Sequence, residues 1–342
     1  MQSLQEILSS EKPFRVKQIY TAWFDPAIKS YEDISTLPFA LRNKLKDTPW
    51  LVVKPHIIQD SKIDTTKKML LELEDGEFIE TVFMSRENKK ADAYEDEERN
   101  TVCISSQVGC PMGCAFCATG AMGFKRNLSM EEVVDQVRFC CAYGAISNIV
   151  LMGQGEPLLN YDNVKSALNL ILKYTEIGET KITLSTVGVP QAMEKMIDDK
   201  DFPPVRFALS LHSAIEETRK KIIPSHQDGF LAFLISWSKK YHEAIPSRTH
   251  FIGLEYTLLK GINDDEKHLK ALITLASQLG RVRINLIAFN TTTTNAFQSS
   301  PQDVVEHWHE RLMAAGFTST IRHSQGQDIS AACGQLRNTQ LM

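Results

Sequence analysis

From Thr101 onward the chain repeats one pattern, a short run of apolar and β-branched residues followed by a longer stretch with helical periodicity. The strand-like runs are TVCISS, NIVLMG, KITLST, VRFALSLH, GLEYTLL, VRINLIAF and TSTIRH. Between them lie helical stretches such as SMEEVVDQVRFCCAY, NVKSALNLILKY, VPQAMEKMIDD, DEKHLKALITLASQL and QDVVEHWHERLMAAG. Alternation at roughly 30 to 45 residues per unit means parallel strands joined by helical crossovers, with the helices covering the sheet. About six such units predict an α/β fold, a partial or complete TIM-like (β/α)6 barrel. In that architecture ligands bind at the C-terminal ends of the strands.

The segments before the barrel read differently. Residues 1–55 look helical. Pro13 opens FRVKQIYTAWF, in which Phe14, Val16, Ile19, Trp23 and Phe24 share one apolar face, and a second short helix is expected over 35–45. Residues 51–84 alternate as strands do, and Asp75-Gly76 is a hairpin signal. The charged run 85–99, SRENKKADAYEDEER, reads as a solvated loop. Three parts follow: a helical accessory domain over 1–55, a β-hairpin and charged linker over 56–99, and the barrel over 100–336. Met1 leads into polar sequence, and no run of 18 apolar residues exists. A secretory signal, a transmembrane helix and a membrane partner are therefore not expected, and the cytoplasm is the expected location.

Seven cysteines in 342 residues argue for chemistry rather than a disulfide scaffold. Four fall between Cys103 and Cys117, two are the neighbours Cys140 and Cys141, and Cys333 stands near the end. Cys110-Pro-Met-Gly-Cys114-Ala-Phe-Cys117 follows the first barrel strand with C-x3-C-x2-C spacing. Three thiolates on one loop can hold a 4Fe-4S cluster and leave one iron without a protein ligand, open to a substrate. A structural zinc site needs a fourth ligand, which here is Cys103 or a distant residue. Cys140 and Cys141 lie in a helical stretch and read as packed side chains.

Polar residues recur where barrel ligands bind. Gly153-Gln154-Gly155-Glu156-Pro157 follows NIVLM; its glycines admit close backbone approach, and Glu156 can accept hydrogen bonds from an ammonium group. Ser185, the Ser210-Leu211-His212 string and Asn290 each close a further strand. A lone Ser or His there can simply cap the next helix, but three independent strands point to cofactor contacts.

The aromatic Phe116 before the last cysteine completes the C-x3-C-x-aromatic-C pattern, which resembles the radical S-adenosylmethionine (SAM) superfamily. Four strings narrow the likeness. Cys103-Ile-Ser-Ser-Gln-Val-Gly-Cys110, Gly123-Phe-Lys-Arg-Asn-Leu, Gly155-Glu-Pro-Leu-Leu-Asn160 and Asp328-Ile-Ser-Ala-Ala-Cys333-Gly-Gln-Leu resemble the RlmN/Cfr-type RNA methyltransferases, and RlmN in particular. The resemblance implies a radical SAM barrel with a 4Fe-4S cluster on Cys110, Cys114 and Cys117, and SAM held by Gly155, Glu156, Ser185, Ser210, Leu211, His212 and Asn290. It implies methylation of adenine at C2 in 23S rRNA and tRNA, with a flavodoxin or ferredoxin as electron donor. Adenine C2 is electron-poor, so the family uses two SAM molecules. One methylates Cys333; the other gives a 5′-deoxyadenosyl radical that activates that methyl group. Cys103 then releases the product through a transient disulfide with Cys333, a role that needs a thiol. Glu80, in FIETVFM, matches the family's proton acceptor.

The net charge of −4 argues against a general nucleic-acid binder, so RNA contact would need a local patch. Lys12, Arg15, Lys17, Arg42, Lys44 and Lys46, with Lys125, Arg126, Arg322 and His323, are the candidates. The chain departs from RlmN at Gln154, usually methionine there, and after Asn290, where Thr291-Thr-Thr-Thr-Asn-Ala replaces a proline-rich loop. Rival readings are C8 methylation, a different RNA target, a non-catalytic iron–sulfur RNA-binding protein and a zinc protein.

Overall fold

A computed structural model describes residues 4–87, 98–247, 249–292 and 296–337. Positions 88–97 of the charged run and 293–295 of the threonine-rich loop lie outside the described residues. Three helices come first, α1 (Leu4–Ser9), α2 (Pro13–Trp23) and α3 (Phe39–Leu45). On α2, Ile19, Ala22 and Trp23 are buried, but Phe14, expected on the same face, is 56% exposed. Arg138 fixes this module to the barrel. Its guanidinium lies 4.3 Å from the Trp23 ring centre and 4.7 Å from that of Trp50, and it pairs with the buried Asp135 at 2.5 Å.

Strands β1 (Lys54–Asp60), β2 (Thr66–Glu72) and β3 (Phe78–Glu87) are antiparallel, and β3 continues antiparallel onto β4 (Glu98–Cys103). The expected hairpin is thus part of a three-stranded extension of the barrel sheet. Its β2–β3 turn needs Gly76, whose φ is 78°. After β4 come the small ribbon β5 (Gln107–Gly109) and β6 (Phe124–Asn127), with the short helix α4 (Ala118–Ala121) between them.

The barrel strands are β4, β7 (Asn148–Leu151), β8 (Ile182–Thr186), β9 (Arg206–Ser210), β10 (Ile252–Leu258), β11 (Val282–Ala288) and β12 (Thr318–Arg322). They are parallel and adjacent in chain order. The crossovers carry α5 (Met130–Cys140), α6 (Tyr161–Tyr174), α7 (Pro190–Asp198), α8 (Glu216–Ile222), α9 (Phe230–Ala244), α10 (Glu266–Ala276) and α11 (Gln302–Ala314). Six β/α units and a seventh strand therefore form an open, TIM-like partial barrel, with β1 and β12 at the ends of one ten-stranded sheet. Local signals set the helix starts: Ser129 and Glu132 form a reciprocal capping box on α5, and Asp265 caps α10.

Strand alternation then sorts the residues. Ile149, Leu151, Leu184, Phe207, Leu209, Leu254, Ile284 and Leu286 face the helices and are buried in the main core. Their neighbours Val150, Ser185, Arg206, Ser210, Glu255, Asn285 and Ile287 face inward and line the lumen. The site is therefore built from the polar half of the alternation.

Candidate active site

The upper lumen, at the strand C-termini, is a cavity lined by Cys110, Cys114 and Cys117 on one side. Gly155, Glu156, Ser185, Ser210, His212, Asn290 and Cys333 line it elsewhere. Among the described residues, no three His, Cys, Asp or Glu close around a single metal ion. Three thiols facing one cavity without converging on one point suit a polynuclear cluster, whose thiolates bind different irons, better than one zinc ion. Burial pushes the Cys110 thiol up to about 12 and the Cys114 thiol upward as well, so without a metal these two thiols stay protonated.

The glycine loop is shaped by contact. A Cβ on Gly153 would sit 2.7 Å from the Ile104 carbonyl carbon, and one on Gly155, at φ +101°, 2.6 Å from the Gln107 Cβ. Neither position has room for a side chain, and this packing brings Glu156 to the cavity wall. Glu156 accepts hydrogen bonds from the backbone N–H of Leu158 (3.0 Å) and Val187 (2.9 Å). Burial raises its carboxyl to about 7, against the pull of those hydrogen bonds and one from Thr186. Arg219, itself buried, donates to the carbonyls of Leu211 and Val187 and so ties together the loops after β8 and β9.

His212 adopts a positive φ of 53° and is buried edge-on against Phe116, ring centres 4.7 Å apart. Its Nδ1 accepts from the Thr257 N–H at 3.0 Å, which assigns the remaining proton to Nε2. Burial, with Arg219 nearby, depresses its pKa to about 3, so the ring is a neutral hydrogen-bond donor at physiological pH. Ser185 and Ser210 stand side by side with hydroxyls 3.4 Å apart. Leu211 alone of the expected SAM contacts points elsewhere. Its side chain is in the core, and only its main chain borders the loop cluster.

The chain's last described segment straps across the lumen. Ala118 N–H donates to the Gly334 carbonyl (2.8 Å), the Thr119 hydroxyl to the Leu336 carbonyl (2.7 Å) and the Asn290 amide to the Cys333 carbonyl (3.3 Å). Glu80 completes the strap. It is 1% exposed rather than on the surface, pairs with Lys68 at 3.3 Å and accepts the Arg337 N–H at 2.7 Å. Burial raises its pKa, with Lys68 opposing.

Cys333 sits where the strap crosses and lines two cavities, the upper one and a lower one within the same lumen. Cys103, at the end of β4, lines the lower cavity, and both cysteines are free thiols. Cys333 is solvent-accessible through these cavities though protein surrounds it, and this enclosure raises its thiol pKa. The nearby Arg322 charge pulls the pKa back down. Cys103 is buried, and burial followed by the proximity of Cys333 lifts its pKa well above the usual thiol range.

Two residues escaped the sequence reading in this role. Glu255, on β10, is buried at the wall of the upper cavity; its Oε1 accepts from Asn285 and pairs with Arg322 at 3.2 Å. Its Oε2 has no hydrogen-bond partner among the described residues. The available signal was a lone charge within the apolar strand IGLEYTL. Arg322, read as an RNA-facing cation, is instead the partner of Glu255 inside the lumen. Other cations of the expected basic funnel are also engaged: Arg15 with Glu11, Lys125 with Glu77, and Arg126 with Asp75 and Glu132.

A model of the radical SAM superfamily matches residues 104–273. The chain is similar to a radical SAM methyltransferase from Sphaerobacter thermophilus, at 31% identity over 99% of this chain and 98% of that one, with a TM-score of 0.85. A domain of a pyruvate-formate lyase-activating enzyme from Bacteroides vulgatus is 16% identical over 52% of this chain and 99% of its own, at a TM-score of 0.40.

Proposed function

Because the chain belongs to the radical SAM superfamily and has the fold of a radical SAM methyltransferase, we propose that it methylates adenine at C2 in RNA, with Cys333 as methyl carrier and Cys103 as resolving thiol. One observation carries the reading: Cys333 lines both the cavity of the three motif cysteines and the cavity of Cys103. A carrier must meet the methyl source on one side and the acceptor on the other, and this thiol alone has both addresses.

The superfamily uses a 4Fe-4S cluster and SAM, which together supply a 5′-deoxyadenosyl radical. Cys110, Cys114 and Cys117 are the cluster ligands in this reading. Glu156 receives the methionine ammonium, while Ser185, Ser210, the His212 Nε2–H and Asn290 hold the rest of SAM. The Leu211 contact is reduced to its main chain. The Cys333 thiol would lose its proton and displace S-adenosylhomocysteine from the SAM methyl group, keeping that methyl as a thioether. Once that carbon is joined to the base, the Cys103 sulfur attacks the Cys333 sulfur. The S–S bond would form as the bond from the Cys333 sulfur to the transferred carbon breaks; that carbon keeps the electron pair, takes up a proton and leaves as the methyl group of the base. Glu80 anchors the carrier segment, and proton acceptance is the role its resemblance implies. The RNA partners are 23S rRNA and tRNA, with a small reduced electron-transfer protein as donor. The described residues include no helix long and apolar enough to cross a membrane.

The test is anaerobic reconstitution with reductant, SAM and an RNA hairpin bearing an unpaired adenosine, read by mass spectrometry of nucleosides. 2-Methyladenosine is expected from the wild type and none from Cys333→Ala. Cys103→Ala should leave a covalent protein–RNA species on a denaturing gel. 8-Methyladenosine would move the reading to C8, and no methylated adenosine would end it.

A further inference from the structure

The lower cavity opens at the N-terminal ends of the barrel strands, and its charges are one-sided. Its lining includes Arg99, Arg206, Arg322 and His323 and no Asp or Glu. Arg322 is neutralised by Glu255 from above, but Arg99 and Arg206 have no carboxylate partner among the described residues. Arg283 is likewise without one, and strand alternation places it on the lumen face, in step with Asn285 and Ile287. These three arginines stand at or near the first residues of β4, β9 and β11, so parallel pairing puts them at one mouth.

Phe251, the residue before β10, lies between two of them. The Arg283 guanidinium is 4.1 Å from its ring centre and that of Arg206 is 5.7 Å away. Stacking on an aromatic face fixes a guanidinium plane and leaves its edge N–H groups available. The Nε of Arg206 is buried with no hydrogen-bond partner among the described residues. Partial burial, then the charges of Arg283 and Arg99, depress the Arg206 pKa, as expected for cations gathered without a counter-ion. Arg206 is half-buried while Arg99 and Arg283 are exposed, so an anion at this mouth can reach all three cations.

Above this mouth the wall turns neutral. Thr101, Asn148, Thr183, Asn285 and Thr320 present hydroxyl and amide groups, and Cys103 and Cys333 stand beyond them. The cavity volume is about 420 Å³, within the range of small-molecule sites. Charged rim, neutral polar wall and reactive thiols are the order in which a nucleotide entering base-first would need them.

We propose that Arg99, Arg206 and Arg283, set around Phe251 at the N-terminal mouth of the barrel, bind the phosphodiester backbone of the RNA strand whose base enters the lower lumen. The proposal rests on the RNA reading above and adds the face of entry, opposite the cluster loop. Arginine forks suit phosphate because two parallel N–H groups meet two oxygens. Phe251 also offers a stacking surface to a flanking base.

The test uses the full chain, reconstituted, and a hairpin RNA with one unpaired loop adenosine. Affinity is measured by fluorescence anisotropy over a range of salt. Arg206→Glu/Arg283→Glu should weaken binding by at least about tenfold, and Arg206→Ala/Arg283→Ala should reduce the salt slope by about 1 to 2. Lys220→Glu/Lys240→Glu, with the same change in net charge on outer helices, should bind as the wild type does. Modification of the wild type by phenylglyoxal, mapped by peptide, guards against misfolded variants: the RNA should protect Arg206 and Arg283. Equal affinity in the reversed variant, or arginines that RNA leaves unprotected, overturns the proposal. A wild type that neither binds nor methylates the hairpin defeats the RNA reading itself.

Discussion

The two halves of the lumen share one set of strands and differ in chemistry. The upper half collects neutral or acidic groups around three thiols: Glu156, Glu255, the serine pair and an uncharged His212. The lower half collects arginine, threonine and asparagine. Two steps of the inward-facing alternation along each strand separate them, as when Arg206 gives way through Ala208 to Ser210, or Arg283 through Asn285 to Ile287. A single barrel can thus keep a sulfonium cofactor and a polyanion apart without a wall between them. On the proposed reading the cation meets carboxylates and the anion meets arginines. Cys333 is the reacting group placed at the division.

Breaking the division at its centre should have the largest effect. Cys333→Ser is expected to reduce adenine methylation to background while SAM affinity, measured by calorimetry, stays unchanged. Cys114→Ala should instead abolish both methylation and 5′-deoxyadenosine formation. If Cys333→Ser still methylates, the two halves do not communicate through this residue.

Next is the anchor of the strap. Glu80→Gln keeps an acceptor for the Arg337 N–H but leaves Lys68 buried without its counter-charge. The loss is about 3 kcal/mol in stability, read by denaturant titration. Adding Lys68→Met should restore most of it. If the double variant also recovers full methylation, Glu80 is an anchor only and accepts no proton.

The upper half should also show two pH signatures. His212 resists protonation down to about 3, whereas an unfolded histidine gains its proton near 6.5. Stability is therefore full above 6.5 and falls as pH drops toward 3, by a few kcal/mol at most. His212→Asn, which retains an acceptor toward Thr257, should flatten this acid limb in thermal melts; an unchanged limb would mean the ring is charged in the fold. Glu156 works in the opposite direction. Its carboxyl is raised to about 7, so the unliganded fold is most stable below the ordinary carboxylate range and loses that margin as pH rises through 7. On the proposed role of Glu156 as acceptor for the SAM ammonium, which needs the ionised form, SAM affinity should rise about tenfold from about pH 6 to about pH 8, and Glu156→Gln should remove the rise.

Much of the upper half was legible in the sequence. Its residues sit in loops just past strand ends, where spacing such as C-x3-C-x2-C survives as a linear string. Of the lower half, Cys103, Cys333, Arg322 and His323 were singled out; Arg99, Arg206 and Arg283 were not, because they lie at strand starts far apart in the chain. Arg206 or Arg283 taken alone is one cation among 38 lysines and arginines, and only the sheet register gathers them. The barrel itself was readable from alternation, and all seven strand runs are strands. Phe14 was misplaced because helical periodicity gives a face and not what covers it. The ion pairs of Lys125 and Arg126 were only partly readable, because Glu77 and Asp75 are distant in the chain, whereas Glu132 lies close to Arg126.

The strap has a kinetic meaning. Main-chain bonds pin it at Cys333 itself and on the adjacent Gly334, with further anchors at Leu336 and Arg337. Held this way, Cys333 faces both halves of the lumen without any swing of the segment. Turning its sulfur from one half to the other needs only rotation about the Cα–Cβ bond, between staggered rotamers. Such turns take picoseconds to nanoseconds, whereas loop and domain motions reach microseconds and longer. On the proposed carrier role, delivery across the strap needs only this rotation, which leaves the pace to chemistry and to the exchange of RNA.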